Sequence, residues 1–263
     1  LTNRRVLVTG AGGFIGRHLV ARLVQERAQI WTLARRPVAG LPPDVRQVTS
    51  SLEELQPAVW SEHGAPAFDV VFHLAAYTPK TSASGDDLRR VFRDNLDGTR
   101  LLLDSFAAPP TRIVFASTLD VYAPLAGDGL LSEQSPVGPA SLYGSSKYFG
   151  ESYVAHWARL TGASATILRY GHIYGPGEDE YKKLIPETIR RLLAGASPVV
   201  YGTGSATRDL LYVGDAVEAT VRAAAAEAPP PGPINIVRGE SVSVRQIVET
   251  LAELTGFEDP IDY

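Results

Sequence analysis

The 263-residue sequence contains no cysteine and only five histidines. Without cysteine the chain can form no disulfide, no thiolate metal site and no cysteine nucleophile. The histidines follow no metal-binding spacing such as H-E-x-x-H, so no metal is predicted. Charged residues interrupt the apolar runs well short of a membrane span, and no signal-peptide pattern is present. We therefore expect a cytoplasmic protein that does not interact with membranes.

Neither sign of charge dominates the sequence. The net charge is −4, with 21% of residues charged and 44% apolar, which is typical of a globular protein. This balance gives no reason to expect nucleic acid or another polyanion as a partner. The length allows one large α/β domain, or a main domain with a smaller lobe.

Short apolar runs alternate with helical patterns along residues 1–170. The strand-like runs are Arg4–Thr9, Ile30–Ala34, Asp69–Leu74, Arg112–Ala116 and Ala165–Arg169. Helical spacing follows the first run, and longer helices are predicted at Asp87–Ala107 and Leu142–Leu160. This alternation predicts an α/β protein with a doubly wound parallel sheet, the Rossmann fold.

The rhythm changes after Arg169. Residues Gly171–Gly177 are predicted to form a loop, Leu184–Ala194 a helix and Asp209–Val213 a strand. A further helix is expected at Ala216–Ala226, with Asp215 as its N-cap.

Domain boundaries follow from this change of pattern. We expect residues 1–170 to form the main domain, with 205–228 returning to it. A smaller C-terminal lobe would comprise 171–204 and 229–263. The proline-rich stretch Pro229–Pro233 ends the preceding helix and is predicted to be a stiff surface connector.

A glycine-rich turn, Thr9–Gly16, joins the first strand to the first helix. Gly10 would permit the tight turn, Gly13 would let a pyrophosphate approach the backbone, and Gly16 would allow close packing of the helix. The helix N-terminus offers free N–H groups to the anion. A glycine-rich turn without a ligand is the alternative, and the strand–turn–helix context disfavours it.

The end of the second strand indicates which dinucleotide would bind. An acidic residue about twenty positions beyond the glycine turn commonly binds the ribose 2′-hydroxyl of NAD. Here the strand ends in Leu33-Ala34-Arg35-Arg36, without an acid. Two arginines suit a 2′-phosphate, so NADP is favoured over NAD, although a pair of solvated surface arginines is the alternative.

Tyr143 and Lys147 lie one helical turn apart on a predicted helix. An isolated phenol, with a pKa of about 10, is a poor base near neutral pH. A neighbouring ammonium and an oxidised nicotinamide would stabilise the phenolate and lower that pKa. Tyr143 could then exchange a proton with an alcohol or ketone while a hydride moves.

Several motifs together resemble the extended short-chain dehydrogenase/reductase family, which includes the NAD-dependent sugar-nucleotide epimerases and dehydratases. The resemblance covers nearly the whole chain, and the motifs occur in the order typical of the family. They are Thr9–Gly16, His73–Ala76, Asn95–Thr99, Ser117–Tyr122, Tyr143–Lys147, Arg169–Gly177 and Arg208–Val213.

The resemblance implies a role for each matching residue. Tyr143 would be the catalytic acid/base, Lys147 would bind the nicotinamide ribose and tune Tyr143, and Thr118 would hold the reacting hydroxyl. Arg208 would grip a nucleotide diphosphate, with His172 beside the substrate phosphates. The residues expected at the cofactor are Gly10, Gly13, Phe14, Ile15, Gly16, Arg35, Arg36, Leu74, Ala75, Ala76, Asn95, Lys147 and Tyr170.

The sequence also departs from the family pattern. His172 replaces the usual asparagine, Ser50 and Ser51 stand where an aspartate often contacts adenine, and Leu119-Asp120 replaces the Asp-Glu pair of 4,6-dehydratases. The last departure argues against water elimination. Since chains of the family usually continue further, part of the substrate lobe is expected to be missing. For Asn95, a buried structural amide is an equal alternative.

Three functions follow as hypotheses. The first is an NAD(P)-dependent epimerase or ketoreductase of a nucleotide sugar. Such an enzyme could form a homodimer. The second is an NADP-dependent reductase of a non-nucleotide ketone or aldehyde. The third is a dinucleotide-binding protein without turnover. For the first, we expect Gly171–Gly177, Arg208 and Tyr181–Lys183 to border one pocket, with His172 between Arg208 and Tyr143.

Overall fold

The computed structural model describes residues 1–65, 67–79, 85–124, 130–178 and 183–263. The chain divides into two compact units. The large unit comprises Leu1–Tyr170 and Val217–Ile236, and the small unit comprises Gly171–Ala216 and Val237–Tyr263.

A seven-stranded parallel sheet forms the centre of the large unit, in the order β3-β2-β1-β4-β5-β6-β9. Its strands are β1 (Arg5–Thr9), β2 (Gln29–Ala34), β3 (Arg46–Thr49), β4 (Val70–His73), β5 (Arg112–Thr118), β6 (Ser164–Tyr170) and β9 (Ile234–Ile236). The predicted doubly wound parallel sheet is confirmed, and the five strands predicted within residues 1–170 are β1, β2, β4, β5 and β6.

Helices accompany the strands of the large unit. They are α1 (Phe14–Gln25), α2 (Pro57–Glu62), α3 (Gly85–Val91), α4 (Gly98–Asp104), α5 (Leu142–Thr161) and α7 (Val213–Ala225), whose first residues belong to the small unit. A side chain from the sheet caps one of them: Arg112 is 7% exposed and donates to the carbonyl oxygens of Ala224 and Ala226, 2.8 and 2.6 Å away, at the end of α7. Such capping satisfies carbonyls that have no partner within the helix.

The helix predicted over Asp87–Ala107 is interrupted by one π-helical turn. This turn, Phe92–Asp97, lies between α3 and α4 and carries Asn95. A π-helical turn accommodates an extra residue and changes which side chains share a face. The 3.6-residue pattern of the sequence did not indicate it.

Asp215 is not the N-cap that the sequence suggested. The helix α7 begins at Val213, directly after a strand that ends at Tyr212, so Asp215 lies inside its first turn. The carboxylate still lies near the positive end of the helix dipole.

The small unit contains a three-stranded sheet in the order β10-β8-β7. Its strands are β7 (His172–Tyr174), β8 (Thr207–Tyr212) and β10 (Ser241–Ser243), and its helices are α6 (Leu184–Leu193) and α8 (Val244–Thr255). The stretch Gly171–Gly177, expected to be a loop, therefore contains a short strand. It pairs in parallel with β8, which also pairs antiparallel with β10.

The unit boundaries differ from the predicted ones. Residues 205–228 were expected to return to the main domain, whereas the large unit regains the chain at Val217–Ile236. The reason lies in strand pairing: β8 joins β7 and β10, and β9 joins the edge of the large sheet beside β6.

Within the described ranges, no helix combines the length and apolarity needed to cross a membrane. Those ranges also contain no group of three or more histidine or acidic side chains placed to hold a metal ion.

Candidate cofactor and catalytic site

The glycine turn brings the ends of β1 and β4 together. Gly10 has a φ of +76°, and a Cβ atom there would lie 2.8 Å from the backbone nitrogen of Ala75. A Cβ on Gly16 would collide with the carbonyl oxygen of Gly10, so the first turn of α1 packs directly on the glycine turn. Glycine is required at both positions because any side chain would push these backbones apart.

The N-terminus of α1 has no side-chain cap. Gly13 is the N-cap residue, and no acidic side chain lies in the first turn of the helix. The first backbone N–H groups of α1, beginning at Phe14 and Ile15, therefore remain available to an anion. The structure thus fits the pyrophosphate role predicted for this turn, although a cofactor contact by these residues stays a prediction.

Arg17, which the sequence analysis missed, fastens the segment after β2 to the glycine turn. Its guanidinium donates to the carbonyl oxygen of Gly12 at 3.1 Å and to that of Ala39 at 3.0 Å. The segment between β2 and Ala39 carries Arg35 and Arg36, and both are exposed. Across the described parts of the chain, neither forms an ion pair with a carboxylate.

A buried chain of hydrogen bonds runs from β1 through β4 to the helix α4. The backbone N–H of Ala75 donates to the hydroxyl oxygen of Thr9, which lies 2.8 Å from Nδ1 of His73. On the other side of the ring, Nε2 of His73 lies 3.0 Å from the hydroxyl oxygen of Thr99, which itself donates to the carbonyl oxygen of Asn95.

These contacts determine the tautomer of His73. Because the Thr99 hydroxyl hydrogen is used by Asn95, its oxygen must accept from Nε2–H, and Nδ1 then accepts from Thr9. Burial, with the charge of Lys147 as a second cause, lowers the pKa of His73 to about 3. His73 is therefore neutral at physiological pH and acts as a structural link.

Asn95 continues this chain of hydrogen bonds to the helix α5. Its side-chain oxygen accepts from the backbone N–H of Tyr77 at 2.6 Å. Its Nδ2 donates to the Tyr77 carbonyl at 2.9 Å and to the Ser146 hydroxyl at 3.0 Å. The Ser146 hydroxyl in turn donates to the carbonyl oxygen of Tyr143, 2.7 Å away. These contacts are those of a buried structural amide, and a contact of Asn95 with the cofactor stays a prediction.

The start of α5 packs against the end of β5. Ser141 caps the helix by accepting from the N–H of Gly144 at 2.9 Å. A Cβ on Gly144 would collide with the carbonyl oxygen of Asp120, which follows Thr118 by two residues. Glycine therefore lets the turn of Tyr143 approach the end of the strand that carries Thr118. The Thr118 hydroxyl oxygen accepts from the N–H of Asp120 at 3.2 Å.

Lys147 is buried on the inner face of α5. It is 2% exposed, and its ammonium lies 4.1 Å from the centre of the Phe115 ring. One turn later, a Cβ on Gly150 would lie 2.5 Å from the same ring, which explains how α5 approaches the sheet so closely. Burial lowers the pKa of Lys147 to about 7, and the charge of Glu151 opposes that effect.

Tyr170 is held inside the large unit. It is 7% exposed, and its hydroxyl lies 2.6 Å from that of Thr220 on α7. Burial raises the pKa of Tyr170 to about 12. The cofactor contact predicted for Tyr170 stays a prediction.

The predicted substrate residues His172 and Arg208 lie in the small unit. His172 on β7 pairs with Leu210 on β8, and Arg208 precedes Leu210 by two residues. Alternation along a strand therefore puts His172 and Arg208 on the same face of the small sheet. Both are exposed. Their predicted convergence on Tyr143 stays a prediction.

Of the predicted lysine-rich segment, Tyr181 and Lys182 lie outside the described residues. Lys183 is described, and its ammonium lies 2.6 Å from the carboxylate of Glu178, which is 3% exposed. A place for this segment beside the substrate likewise stays a prediction.

The chain belongs to the NAD dependent epimerase/dehydratase family, whose sequence profile matches residues 6–237. The family resemblance inferred from the motifs is thereby confirmed. Over 267 residues the chain is 32% identical to a UDP-N-acetyl-alpha-D-glucosaminuronate decarboxylase of Bacillus cytotoxicus, in an alignment covering 96% of this chain and 80% of that protein.

Two solved structures are similar in fold. The UDP-glucose 4-epimerase of Thermotoga maritima with UDP-glucose is 29% identical, with a TM-score of 0.85 over 98% of this chain and 85% of the other. The UDP-glucose 4-epimerase of Thermus thermophilus in complex with NAD is 28% identical, with a TM-score of 0.82 over 98% and 85% of the two chains.

The pKa of His73 predicts a specific dependence of stability on pH. A folded-state value of about 3, below the usual 6.5, means that the unfolded chain binds the proton more readily. This contribution is complete above pH ~6.5 and is lost as the pH falls toward ~3. Between pH 7.5 and pH 5, wild type should lose about 2 kcal/mol of unfolding free energy that a His73→Gln variant does not lose.

Urea unfolding of both proteins at the two pH values measures this difference. His63→Gln, which changes an exposed histidine at the end of α2, is the matched control and should follow wild type. If His73→Gln and wild type lose equal stability on acidification, His73 is not held neutral by the fold.

Proposed function

We propose that this chain is an NAD(P)-dependent enzyme that epimerises or reduces a nucleotide sugar, with Tyr143 as acid/base. The observation that carries the proposal is Lys147, a buried lysine one helical turn beyond Tyr143. Burying an ammonium is costly, so a structural role alone would favour an apolar residue at this position. Membership of the epimerase/dehydratase family supports the same chemistry.

The residues of the large unit suit a dinucleotide. The uncapped N-terminus of α1, with the turn Gly10–Gly13, presents N–H groups to a pyrophosphate. Leu74, Ala75 and Ala76 follow β4 directly beside Gly10 and line the cofactor in this proposal. When bound, the cofactor supplies the nicotinamide ring that accepts or returns a hydride.

Three side chains divide the remaining work. Tyr143 takes the proton of the substrate hydroxyl when the alcohol is oxidised, and returns it when the ketone is reduced. The ammonium of Lys147 stabilises the Tyr143 phenolate and holds the nicotinamide ribose. Because the Thr118 oxygen accepts from Asp120, its hydroxyl hydrogen is left to donate to the substrate oxygen.

An epimerase and a reductase would use this machinery in different ways. An epimerase keeps the cofactor, oxidises the sugar transiently and returns the hydride to the opposite face. A reductase releases the oxidised cofactor after each turnover. Two of the similar proteins are named as 4-epimerases, which supports the first mode, while an NADP preference would support the second.

A nucleotide sugar is the proposed substrate because the Thermotoga maritima relative was solved with UDP-glucose. In this chain Arg208 is exposed on β8 and would bind the diphosphate, since a guanidinium matches phosphate geometry. His172, on the same face of the small sheet, would lie beside the phosphates. The histidine itself favours the second candidate, a reductase of a non-nucleotide ketone or aldehyde, because the family usually has asparagine there.

Between the two cofactors we propose NADP, on the basis of Arg35 and Arg36. Arg17 holds their segment against the glycine turn, and no acid directly follows β2. The NAD in the Thermus thermophilus relative supports the other choice. Calorimetric titration with NADP and NAD should give tighter binding of NADP to wild type.

Arg35→Ala should then lower the affinity for NADP by about tenfold or more, which is the contribution of one hydrogen bond to a charged group. The affinity for NAD should not change. Arg159→Ala, at an exposed arginine near the end of α5, is the matched control. Tighter binding of NAD by wild type would contradict the NADP assignment without affecting the proposed catalysis.

Tyr143→Phe tests the acid/base assignment because it removes only the hydroxyl. We expect dinucleotide binding to persist while turnover falls by about 10²–10⁴-fold. Turnover is measured on whichever member of a panel of UDP- and dTDP-hexoses wild type converts. Tyr148→Phe, at a partly exposed tyrosine on the same helix, should retain wild-type turnover. Near-wild-type turnover in Tyr143→Phe would disprove the mechanism.

Arg208→Ala separates the two substrate classes. If a diphosphate binds there, the affinity for UDP measured by calorimetry should fall by about tenfold or more. Arg190→Ala, at an exposed arginine on α6 of the same unit, should leave it unchanged. Equal UDP affinity in wild type and Arg208→Ala would favour the non-nucleotide substrate.

A homodimer and a cytoplasmic location both stay predictions.

A further inference from the structure

Glu151 is a buried carboxylate to which the proposed mechanism gives no role. It lies on α5 one turn after Lys147 and is 6% exposed. Its two oxygens accept from Nε and Nη2 of Arg169 on β6, at 2.9 and 2.7 Å. The first oxygen also accepts from the hydroxyl of Ser117, which immediately precedes Thr118. The carboxylate is therefore paired and fixed in position.

Its partner Arg169 is also held from the far side. The guanidinium carbon lies 4.7 Å from the centre of the Tyr122 ring. The hydroxyl of Tyr122 donates to the side-chain oxygen of Asn235 at 2.8 Å, and the backbone N–H of Asn235 donates to Glu133 at 2.9 Å. Elements from β5, β6, β9 and α5 thus meet at one buried ion pair.

This arrangement determines which charges act on Lys147. From β4 it faces His73, which is neutral, and from β5 it faces the apolar Phe115 ring. On α5 the residues one turn away are Tyr143 and Glu151, and the charge on β6, Arg169, is paired with the Glu151 carboxylate. Among the described residues, Glu151 is the carboxylate whose charge opposes the cost of burying the ammonium.

A buried ion pair is usually a weak contributor to stability compared with apolar residues of similar volume. Packing alone therefore gives little reason for Glu151 and Arg169 to be charged. Their place beside Lys147 supplies one, because the ammonium can stabilise a phenolate only while it keeps its proton.

We propose that Glu151 is a positioning residue that raises the protonated fraction of Lys147 near neutral pH, with Arg169 and Ser117 holding its carboxylate in place. The inference rests on the proposed function of Tyr143 and Lys147 as an acid/base pair. It adds that Glu151, one helical turn beyond Lys147 on α5, controls the charge of Lys147 without contacting substrate or cofactor.

The test uses the fact that the sequence contains four lysines, Lys80, Lys147, Lys182 and Lys183. Protein labelled with 13C at lysine Cε gives one NMR signal for each, and Lys147→Met identifies the signal of Lys147. Its chemical shift is followed against pH without any substrate. In wild type, we expect a pKa of about 7 for Lys147.

Glu151→Gln retains the shape of the side chain and removes its charge. The pKa of Lys147 should then fall by about one to two, as expected for a single charge at this range in a partly polarisable interior. Glu218→Gln, which removes a carboxylate paired with Arg22 and Arg222 elsewhere in the large unit, is the matched control and should leave that pKa unchanged.

Glu151→Gln leaves Arg169 buried without its partner and could unfold the chain. The double variant Glu151→Gln/Arg169→Met removes both charges, and should still lower the pKa of Lys147, by less than the single variant. If the pKa of Lys147 in either folded variant equals or exceeds that of wild type, the proposal is overturned.

Kinetics separate this proposal from the proposed function. At pH 7, Glu151→Gln should lower kcat by about tenfold, as the protonated fraction of Lys147 falls, with KM nearly unchanged. Should Tyr143→Phe retain wild-type turnover, the acid/base function fails. The NMR titration would still decide whether Glu151 holds the proton on Lys147.

Discussion

The site depends on one buried chain of hydrogen bonds. It begins at the backbone of Ala75, passes through Thr9, His73 and Thr99 to the turn of Asn95, and reaches α5 at Ser146. It joins the glycine turn, the end of β4 and the start of α5 through side chains that water does not reach. Every member is satisfied, which in a region of low dielectric constant makes such a network rigid. The glycines and the tyrosine–lysine pair can be placed because this chain fixes their backbones.

The parts of the fold that could be predicted from the sequence share a physical cause. The strands β1, β2, β4, β5 and β6 are mostly buried, so each contains a short run that is largely apolar. The edge strand β3 has one buried residue, Val48, and β9 and β7 have three residues each, so neither periodicity nor apolarity distinguishes them. The bounds of the two units depend on the strands that β8 and β9 pair with, which residue spacing does not reveal.

The site was predictable where a motif carries its own backbone requirement. The glycines of Thr9–Gly16 and the spacing of Tyr143 and Lys147 are of this kind. The roles of Arg17, Ser146 and Glu151 were not, since they arise from contacts between elements distant in the sequence. Glu151 carried a weak signal in the sequence, an acid one turn beyond Lys147 on the same helical face. The role of Glu151 becomes clear only from its ion pair with Arg169 on β6, and residue spacing does not reveal that pairing.

The π-helical turn at Phe92–Asp97 makes the register of one helix an integral part of the site. In an α-helix each residue advances the side chains by roughly 100°. The extra residue in this turn therefore puts the faces of α3 and α4 out of phase, and lets Asn95 clamp Tyr77 while Thr99 reaches His73. Shortening the segment by one residue would restore ordinary helical geometry and leave every other side chain intact, yet it would separate those two contacts. The number of residues in this helix is therefore as important to the site as the side chains that the helix carries.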